Sequence, residues 1–370
     1  MNNCLTRRKF LTAAASVSIA VANSKSLLGA PDKSKEVPAM PEKIRVGIIG
    51  LEGHYSEITS AAKILPNIHI GAISDPTAAV LEKAIRSPAF ASATSWIDYR
   101  PMLAQEKLDV VAVCGENGIR AAIVKACAER GLPIVAEKPL ALTLSELAEV
   151  KHSIARNRVP LSLLLTMRFE AQYQAMRNIV RAGEIGEVVS MDAQKSYQLG
   201  TRPQWMKSRK SYGGTIPYIG IHMIDLMRWI SGREMVEAAA FHSTVGAPDL
   251  REMENNTAMI FKLDNRGTAS LRMDYLRPPT ASTHGDDRIR IVGTKGIVEY
   301  QEEQGLTLIT SSHPKTSIKD LPKVKPLFID FLESIYLKTP HLITIEDIFR
   351  ISEIVLKTRA AADSDCLVRL

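Results

Sequence analysis

Ile44-Arg45-Val46-Gly47-Ile48-Ile49-Gly50 decides how the rest of this chain is read. An apolar, β-branched run closes on a glycine, and helical periodicity follows over residues 58–65. A strand, a glycine turn and a helix in that order open a βαβ unit, where the glycine allows a sharp turn and close approach of a ligand to the backbone. The alternation continues. Residues 69–74 read as a second strand, 77–86 as a helix, and Ser95-Trp96-Ile97 as the start of a short third strand. Residues 109–113 are apolar in the manner of a strand covered on both faces. Residues 119–130 are helical, and Leu132-Pro133-Ile134-Val135 is a further strand that ends in Ala136-Glu137-Lys138-Pro139-Leu140 before a helix from near Thr143. Strands separated by helices predict an α/β, doubly wound parallel sheet of the Rossmann type with right-handed crossovers.

The texture changes after Arg181. Strand candidates at 188–198, 236–245, 258–263, 268–275, 288–292 and 297–300 follow one another with a single strong helix, 216–230, among them. Such a run predicts an α+β domain with an open, mainly antiparallel sheet. Amphipathic helices at 327–338 and 345–362 finish the chain. The expected division is a dinucleotide-binding domain over 43–160 and a substrate and oligomerisation domain over 161–370, preceded by a Pro-, Lys- and Ser-rich linker over 31–42.

The 370 residues carry a formal charge of +7, but Arg7, Arg8, Lys9 and Lys25 lie in the first thirty residues, where there is no acid. The remainder holds only +3, with no basic cluster interleaved with aromatics, so nucleic acid is not an expected partner. Thr6-Arg7-Arg8-Lys9-Phe10-Leu11-Thr12 before a moderately apolar run reads as a twin-arginine export signal over residues 1–30. The export machinery is then one partner and the periplasm the expected location. No later stretch reaches the roughly 18 apolar residues of a membrane span. Cys114 and Cys127 read as small buried residues, and the cysteines show no metal-ligand spacing.

Two segments carry chemistry. Ligands of doubly wound sheets sit outside the carboxyl ends of the strands, which is where Lys138 falls, with Pro139 restricting it to extended backbone and permitting a cis bond. The first strand leads into Gly50-Leu51-Glu52-Gly53-His54-Tyr55, a degraded form of the G-x-G-x-x-G phosphate turn with Glu52 and Tyr55 at the second and third glycine positions. Gly53 and the following helix start can still offer N–H groups to phosphate. Asp75, at the end of the second strand, is placed to meet ribose hydroxyls, which favours NAD over NADP. In the second half, Tyr218, His222, Asp225 and Trp229 share one face of the 216–230 helix. A histidine there is either a core residue held by Asp225 or a proton acceptor for an alcohol, with Lys138 stabilising the developing oxygen charge.

As an ordered set, the first strand with Gly50, Glu137-Lys138-Pro139, Arg168-Phe169, Gly183-Glu184-Ile185-Gly186-Glu187 and Gly213-Gly214 leading to Gly220-Ile221-His222 resembles the glucose–fructose oxidoreductase / inositol dehydrogenase / MocA family. The resemblance covers residues 43–370. It implies NAD or NADP, a sugar, polyol or related hydroxy substrate, and a homo-oligomer, dimer or tetramer. It implies Lys138 and His222 at the reacting carbon, with Tyr218 beside them as the third catalytic candidate. Gly50, Gly53, His54, Asp75, Asn117, Glu137, Lys138 and Arg168 are the implied cofactor contacts, and Trp205, Tyr212, Lys195 and Asp225 the implied substrate contacts; no metal is implied. Three departures stand out: Tyr218 replaces an aspartate common four residues before the histidine, Asn117 alone is retained in the loop 115–120, and the glycine turn carries Glu52. Two alternatives stand beside this reading, the first drawn from the scarcity of free NAD outside the cytoplasm and the second from the departures. One is a redox-neutral NAD-dependent lyase or epimerase; the other is a non-catalytic sugar-binding protein on the same scaffold.

Overall fold

The computed structural model describes residues 39–370. The expected export signal and most of the linker lie outside the described residues. β1 (Ile44–Ile49) opens the first domain, and Ile44, Val46 and Ile48 have no exposed surface. α1 (Ser56–Ile64), β2 (Ile68–Ser74), α2 (Ala78–Ala84), β3 (Thr94–Trp96), α3 (Tyr99–Gln105), β4 (Val110–Val113), α4 (Asn117–Glu129), β5 (Ile134–Ala136), α5 (Leu144–Asn157) and β6 (Leu161–Leu163) follow. All six strands are parallel, in the order β3-β2-β1-β4-β5-β6. The order reverses between β1 and β4, so the connections leaving these two strands diverge and a crevice opens at their carboxyl ends. Every residue of β4 is buried, as a central strand between two helical layers must be.

The first sheet runs past the division expected at residue 160, because β6 pairs with β5 from Leu161 onward. Three residues are too few to show a period, so this strand left no pattern to read. The start of α5 is fixed by a capping box in which Thr143 Oγ1 accepts from the Glu146 N–H at 3.1 Å and Glu146 Oε2 accepts from the Thr143 N–H at 3.2 Å. That box also takes the Leu142 N–H. It anchors the far end of the loop that carries Lys138.

The second domain holds α6 (Ala171–Arg181), β7 (Val188–Gln198), α7 (Arg209–Tyr212), α8 (Ile221–Ser231), β8 (Met235–Ser243), β9 (Asn256–Leu263), β10 (Thr268–Arg277), β11 (Gly285–Gly293), β12 (Gly296–Gln301), β13 (Gly305–Thr310) and β14 (Thr316–Ser317). α9 (Leu327–Tyr336), α10 (Ile345–Ser364) and β15 (Val368–Arg369) complete it. Its nine strands run β14-β13-β12-β11-β7-β10-β9-β8-β15, antiparallel except for the parallel pair β7 and β10. In β9, Thr257, Met259, Phe261 and Leu263 are buried while Ile260 on the opposite face is 63% exposed. One face of the sheet is therefore core, under α8 and α10, and the other is open. α9 packs instead on α1 of the first domain.

The helix expected over 216–230 is two pieces. Ile216–Gly220 is wound as a π-turn and α8 begins only at Ile221. Tyr218 lies within the π-turn rather than on the regular helix that carries His222.

Candidate active site

At the crevice between β1 and β4 the backbone closes on itself. Gly50 has φ +82°, and a Cβ there would collide with the Gly115 backbone at the end of β4. No other residue fits. Gly53, at φ +62°, leaves room for the Glu137 carboxylate. Asp75, buried at the end of β2, accepts from the Leu51 N–H at 3.1 Å and the Thr77 N–H at 2.9 Å, so it shapes the turn as well as facing the crevice. The crevice has a volume of about 380 Å³ and is lined by Gly50, Glu52, Asp75, Gly115, Glu116 and Trp205 among others. Trp205 reaches in from the second domain and donates its indole N–H to Glu52 Oε2 at 2.8 Å. Burial raises the Glu52 carboxyl, and the indole hydrogen bond only partly offsets this. A larger groove of about 780 Å³ between α5 and α10 is lined by Leu144, Leu147, Ile154 and Phe349 and carries none of these groups.

At the end of β5 the charged groups converge. The Lys138–Pro139 bond is cis. Glu137 is buried; its Oε1 accepts from the His54 backbone N–H and lies 2.6 Å from His54 Nδ1, and its Oε2 accepts from the Lys138 N–H at 3.0 Å. Burial alone would raise this carboxyl, but His54 and Lys138 outweigh it and hold Glu137 down at about 2. Lys138 is itself buried. Its ammonium donates to the Tyr218 carbonyl at 3.0 Å and lies 4.0 Å from the centre of the Tyr218 ring. Burial brings it down to about 8; Glu137 opposes the shift, while Arg120 and Lys195 add to it. Arg120 ties the loop together by donating to the carbonyls of Pro139 at 2.7 Å and Gly115 at 2.5 Å. The His222 ring stands edge-on to His54 with centroids 5.8 Å apart. Burial, then Lys138, pushes His222 well below the ordinary histidine range. Its Nδ1 is buried and without a partner.

Tyr218 meets Lys138 through its ring and carbonyl, and burial raises its hydroxyl to about 12, so it holds no charge near neutrality. Its ring packs against Tyr212 and Trp205 at 5.2 and 6.2 Å. Asn117 donates to the Tyr212 carbonyl at 2.8 Å, bridging the domains, and leaves its Oδ1 buried and unpartnered. Tyr212 is fully buried, with its hydroxyl 3.1 Å from Thr215 Oγ1 and 3.2 Å from the Tyr275 hydroxyl; it backs the site wall. Lys195 is spent on Asp287 at 2.6 Å, which helps hold its pKa above the usual lysine range against burial.

Two of the expected contacts lie elsewhere. Arg168 is fully buried and makes paired bonds to Asp225 at 2.6 and 2.7 Å and a third to Asp347 at 2.8 Å. Sealed in the core with each other, neither Arg168 nor Asp225 faces the crevice as a ligand contact would. The stripe on the 216–230 helix suggested otherwise because a shared helical face does not distinguish a ligand from a buried counter-ion. Sequence reasoning also gave no role to Arg120, to the pairing of His54 with Glu137, or to Arg202 after β7. The strand-end position of Glu137 was the one available signal.

With this geometry in place, the comparisons with known proteins are decisive. Residues 44–164 match the oxidoreductase family model for an NAD-binding Rossmann fold, and residues 173–299 match the GFO/IDH/MocA C-terminal domain. A solved structure from Thermotoga maritima, of a protein named only as an oxidoreductase, is 32% identical, with a TM-score of 0.83 over 88% of this chain and 100% of that one. The chain belongs to the Gfo/Idh/MocA family of oxidoreductases. YrbE, an uncharacterized oxidoreductase of Bacillus subtilis strain 168, is 26% identical over 283 residues, covering 74% of this chain and 78% of that protein. A levoglucosan dehydrogenase solved with NADH has the same fold, with a TM-score of 0.78 at 17% identity over 88% of this chain and 99% of that one.

The first domain is thus an NAD-binding Rossmann domain, and its residues fit a dinucleotide. The Gly50 turn is too tight for any side chain, Asp75 faces the same crevice, and Asn117 Oδ1 and His222 Nδ1 are buried polar atoms awaiting partners. Glu52 is the departure, a carboxylate held in the crevice by Trp205. Among the described residues no group of three His, Cys, Asp or Glu side chains is arranged to hold a metal, and no helix is long and apolar enough to cross a membrane.

Proposed function

We propose that the protein oxidises a secondary alcohol of a sugar, polyol or sugar derivative, with Lys138 and His222 at the reacting carbon. The observation that carries this reading is the buried Lys138, brought to about 8 with only a carbonyl and an aromatic ring as partners, in the same cluster as a neutral His222 with a free ring nitrogen. A proton-transfer group works best with a pKa near the operating pH. Lys138 meets that condition better than His222, whose pKa lies well below it. As a free amine, Lys138 takes the hydroxyl proton and becomes the ammonium. His222 stays neutral and hydrogen-bonds the same hydroxyl, which fixes the carbon facing the crevice. Glu137 remains ionised throughout and supplies the counter-charge for the ammonium. A nicotinamide held by the Gly50 turn, Asp75 and Asn117 would accept the hydride from that carbon. Asp75 supports NAD rather than NADP.

The proposal extends to location and assembly. Thr6-Arg7-Arg8-Lys9-Phe10 supports export to the periplasm by the twin-arginine route. Free cofactor is scarce there, so retention of the bound nucleotide is part of the reading. The open sheet face, with Phe241 and Ile260 each 63% exposed, supports a homo-oligomer, dimer or tetramer.

The test is to purify the protein from its host, denature it, and measure released nicotinamide cofactor by absorbance and mass, then to incubate intact protein with sugars and analyse the products. Released or added NAD together with keto-sugar formation supports the reading. Sugar conversion with unchanged redox balance replaces it with a lyase or epimerase, and failure to bind either NAD or NADP overturns both.

A further inference from the structure

The wall that backs Lys138 ends in a second cation that nothing in the protein uses. Arg202 lies in the loop after β7, half-buried, with its guanidinium carbon 4.5 Å from the centre of the Tyr275 ring. The Tyr275 hydroxyl meets that of Tyr212 at 3.2 Å, the Tyr212 ring packs on Tyr218 at 5.2 Å, and the Tyr218 ring carries the Lys138 ammonium at 4.0 Å. One continuous aromatic wall therefore runs from the reacting lysine to this arginine. The charge of Arg202 also contributes to the depression of Lys138.

Other arginines of the second domain are committed. Arg168 binds Asp225 and Asp347, Arg228 binds Glu234 and Asp347, Arg209 binds Glu254, and Arg277 faces Asp286. Lys195, on the same strand, is neutralised by Asp287. Arg202 makes only one long bond, from a terminal nitrogen to the Gln198 carbonyl at 3.3 Å, and its Nε is buried with no partner. Among the described residues no carboxylate pairs with it. Nε and Nη1 are thus the nitrogens without a partner, and stacking on Tyr275 holds the plane of the guanidinium, a group suited to binding a carboxylate. An unpartnered buried N–H costs stability unless something binds it.

We infer that Arg202 anchors a carboxylate on the substrate, so that the enzyme takes an acidic sugar, a uronate or aldonate, in preference to the neutral sugar or polyol. This rests on the dehydrogenase reading above. The reacting hydroxyl sits at Lys138 and His222, the sugar lies against the half-buried Tyr218 ring, and the acid end lies at Arg202.

Isothermal titration of the full protein with NAD present compares three pairs: glucuronate with glucose, galacturonate with galactose, and gluconate with sorbitol. Glucose 6-phosphate is added as a different anion. A charged hydrogen-bonded contact predicts a preference of roughly 10- to 100-fold for the acid in at least one pair. Arg202→Gln should bring that ratio toward one, while Arg202→Lys, which keeps the charge but loses the planar guanidinium, restores only part of it. A separate NAD titration of each variant checks that the crevice is folded. Equal binding of acid and neutral sugar in every pair overturns the inference, as does a preference for the phosphate ester or an acid preference that survives in Arg202→Gln. Failure of the wild-type protein to bind NAD or NADP overturns the dehydrogenase reading instead, which keeps the two failures apart.

Discussion

The two ends of the cleft have opposite electrostatics. Under the Gly50 turn stand Glu52, Asp75 and Glu116, and the carboxyl of Glu52 feels both of the others. At the end of β5, Lys138 feels Arg120, Lys195 and Arg202, with Glu137 as its counter-charge. An acidic end is unhelpful to a pyrophosphate except through backbone N–H groups, whereas burial, helped by the neighbouring cations, is what lowers the lysine toward neutrality. On the proposed reading the contrast divides the work of the cleft: affinity for the dinucleotide rests on main-chain geometry, and proton transfer rests on the buried lysine and its neighbours.

The sharpest way to break that division is Lys138→Met. Turnover should fall by roughly 10²- to 10⁴-fold, while the Kd for NAD stays within about threefold. Parallel loss of both in kinetics and titration would mean that the two ends are not separable. Arg168→Met tests a pair that belongs to neither end. Leaving Asp225 buried without its cation should cost about 3–5 kcal/mol of stability by urea denaturation. If the pH profile moves while stability does not, the pair belongs to the site after all.

Smaller effects sharpen the acidic end. Glu52→Gln keeps an acceptor for Trp205 and removes the charge, so NAD should bind roughly 5- to 10-fold more tightly above neutrality. In the wild type, binding should strengthen as pH falls and Glu52 takes up a proton, and the variant should lose that slope. Weaker NAD binding by the variant would show that the carboxylate helps to hold the nucleotide.

The smallest effect concerns the basic end. Oxidation needs Lys138 as the free amine, so kcat/KM should fall about tenfold per pH unit below a limb near 8. Because the Glu137 charge raises Lys138, Glu137→Gln should move that limb to lower pH. A limb that stays in place would assign the titration to another group.

Much of this was legible before any coordinates. Alternating strands and helices gave the parallel sheet, since buried strands such as Val110–Val113 are apolar throughout and the first strand ends at a glycine turn. Lys138 and His222 were legible as candidates because one follows a strand end and the other interrupts an apolar helix, and the structure brings them close enough for the lysine charge to lower the histidine. Arg168 and Asp225, expected from the resemblance and the helix stripe as ligand contacts, pair with each other in the core instead, because neither a motif position nor a shared helical face shows what a charged side chain meets. The π-turn at Ile216–Gly220 was also hidden, since Pro217 fits the first turn of a regular helix equally well. Arg202 gave no signal at all, because an arginine in a loop is ordinarily solvated; only its missing partner sets it apart.

The carbonyl and ring that receive the Lys138 ammonium belong to Tyr218, eighty positions further along the chain. The first sheet ends at Leu163, so Tyr218 and His222 both follow it in the chain. The burial and charge that bring Lys138 to about 8 therefore draw on both halves of the molecule, Arg120 from the first and Lys195 and Arg202 from the second. Its basicity is a joint property of the two domains, one that neither sequence segment carries alone.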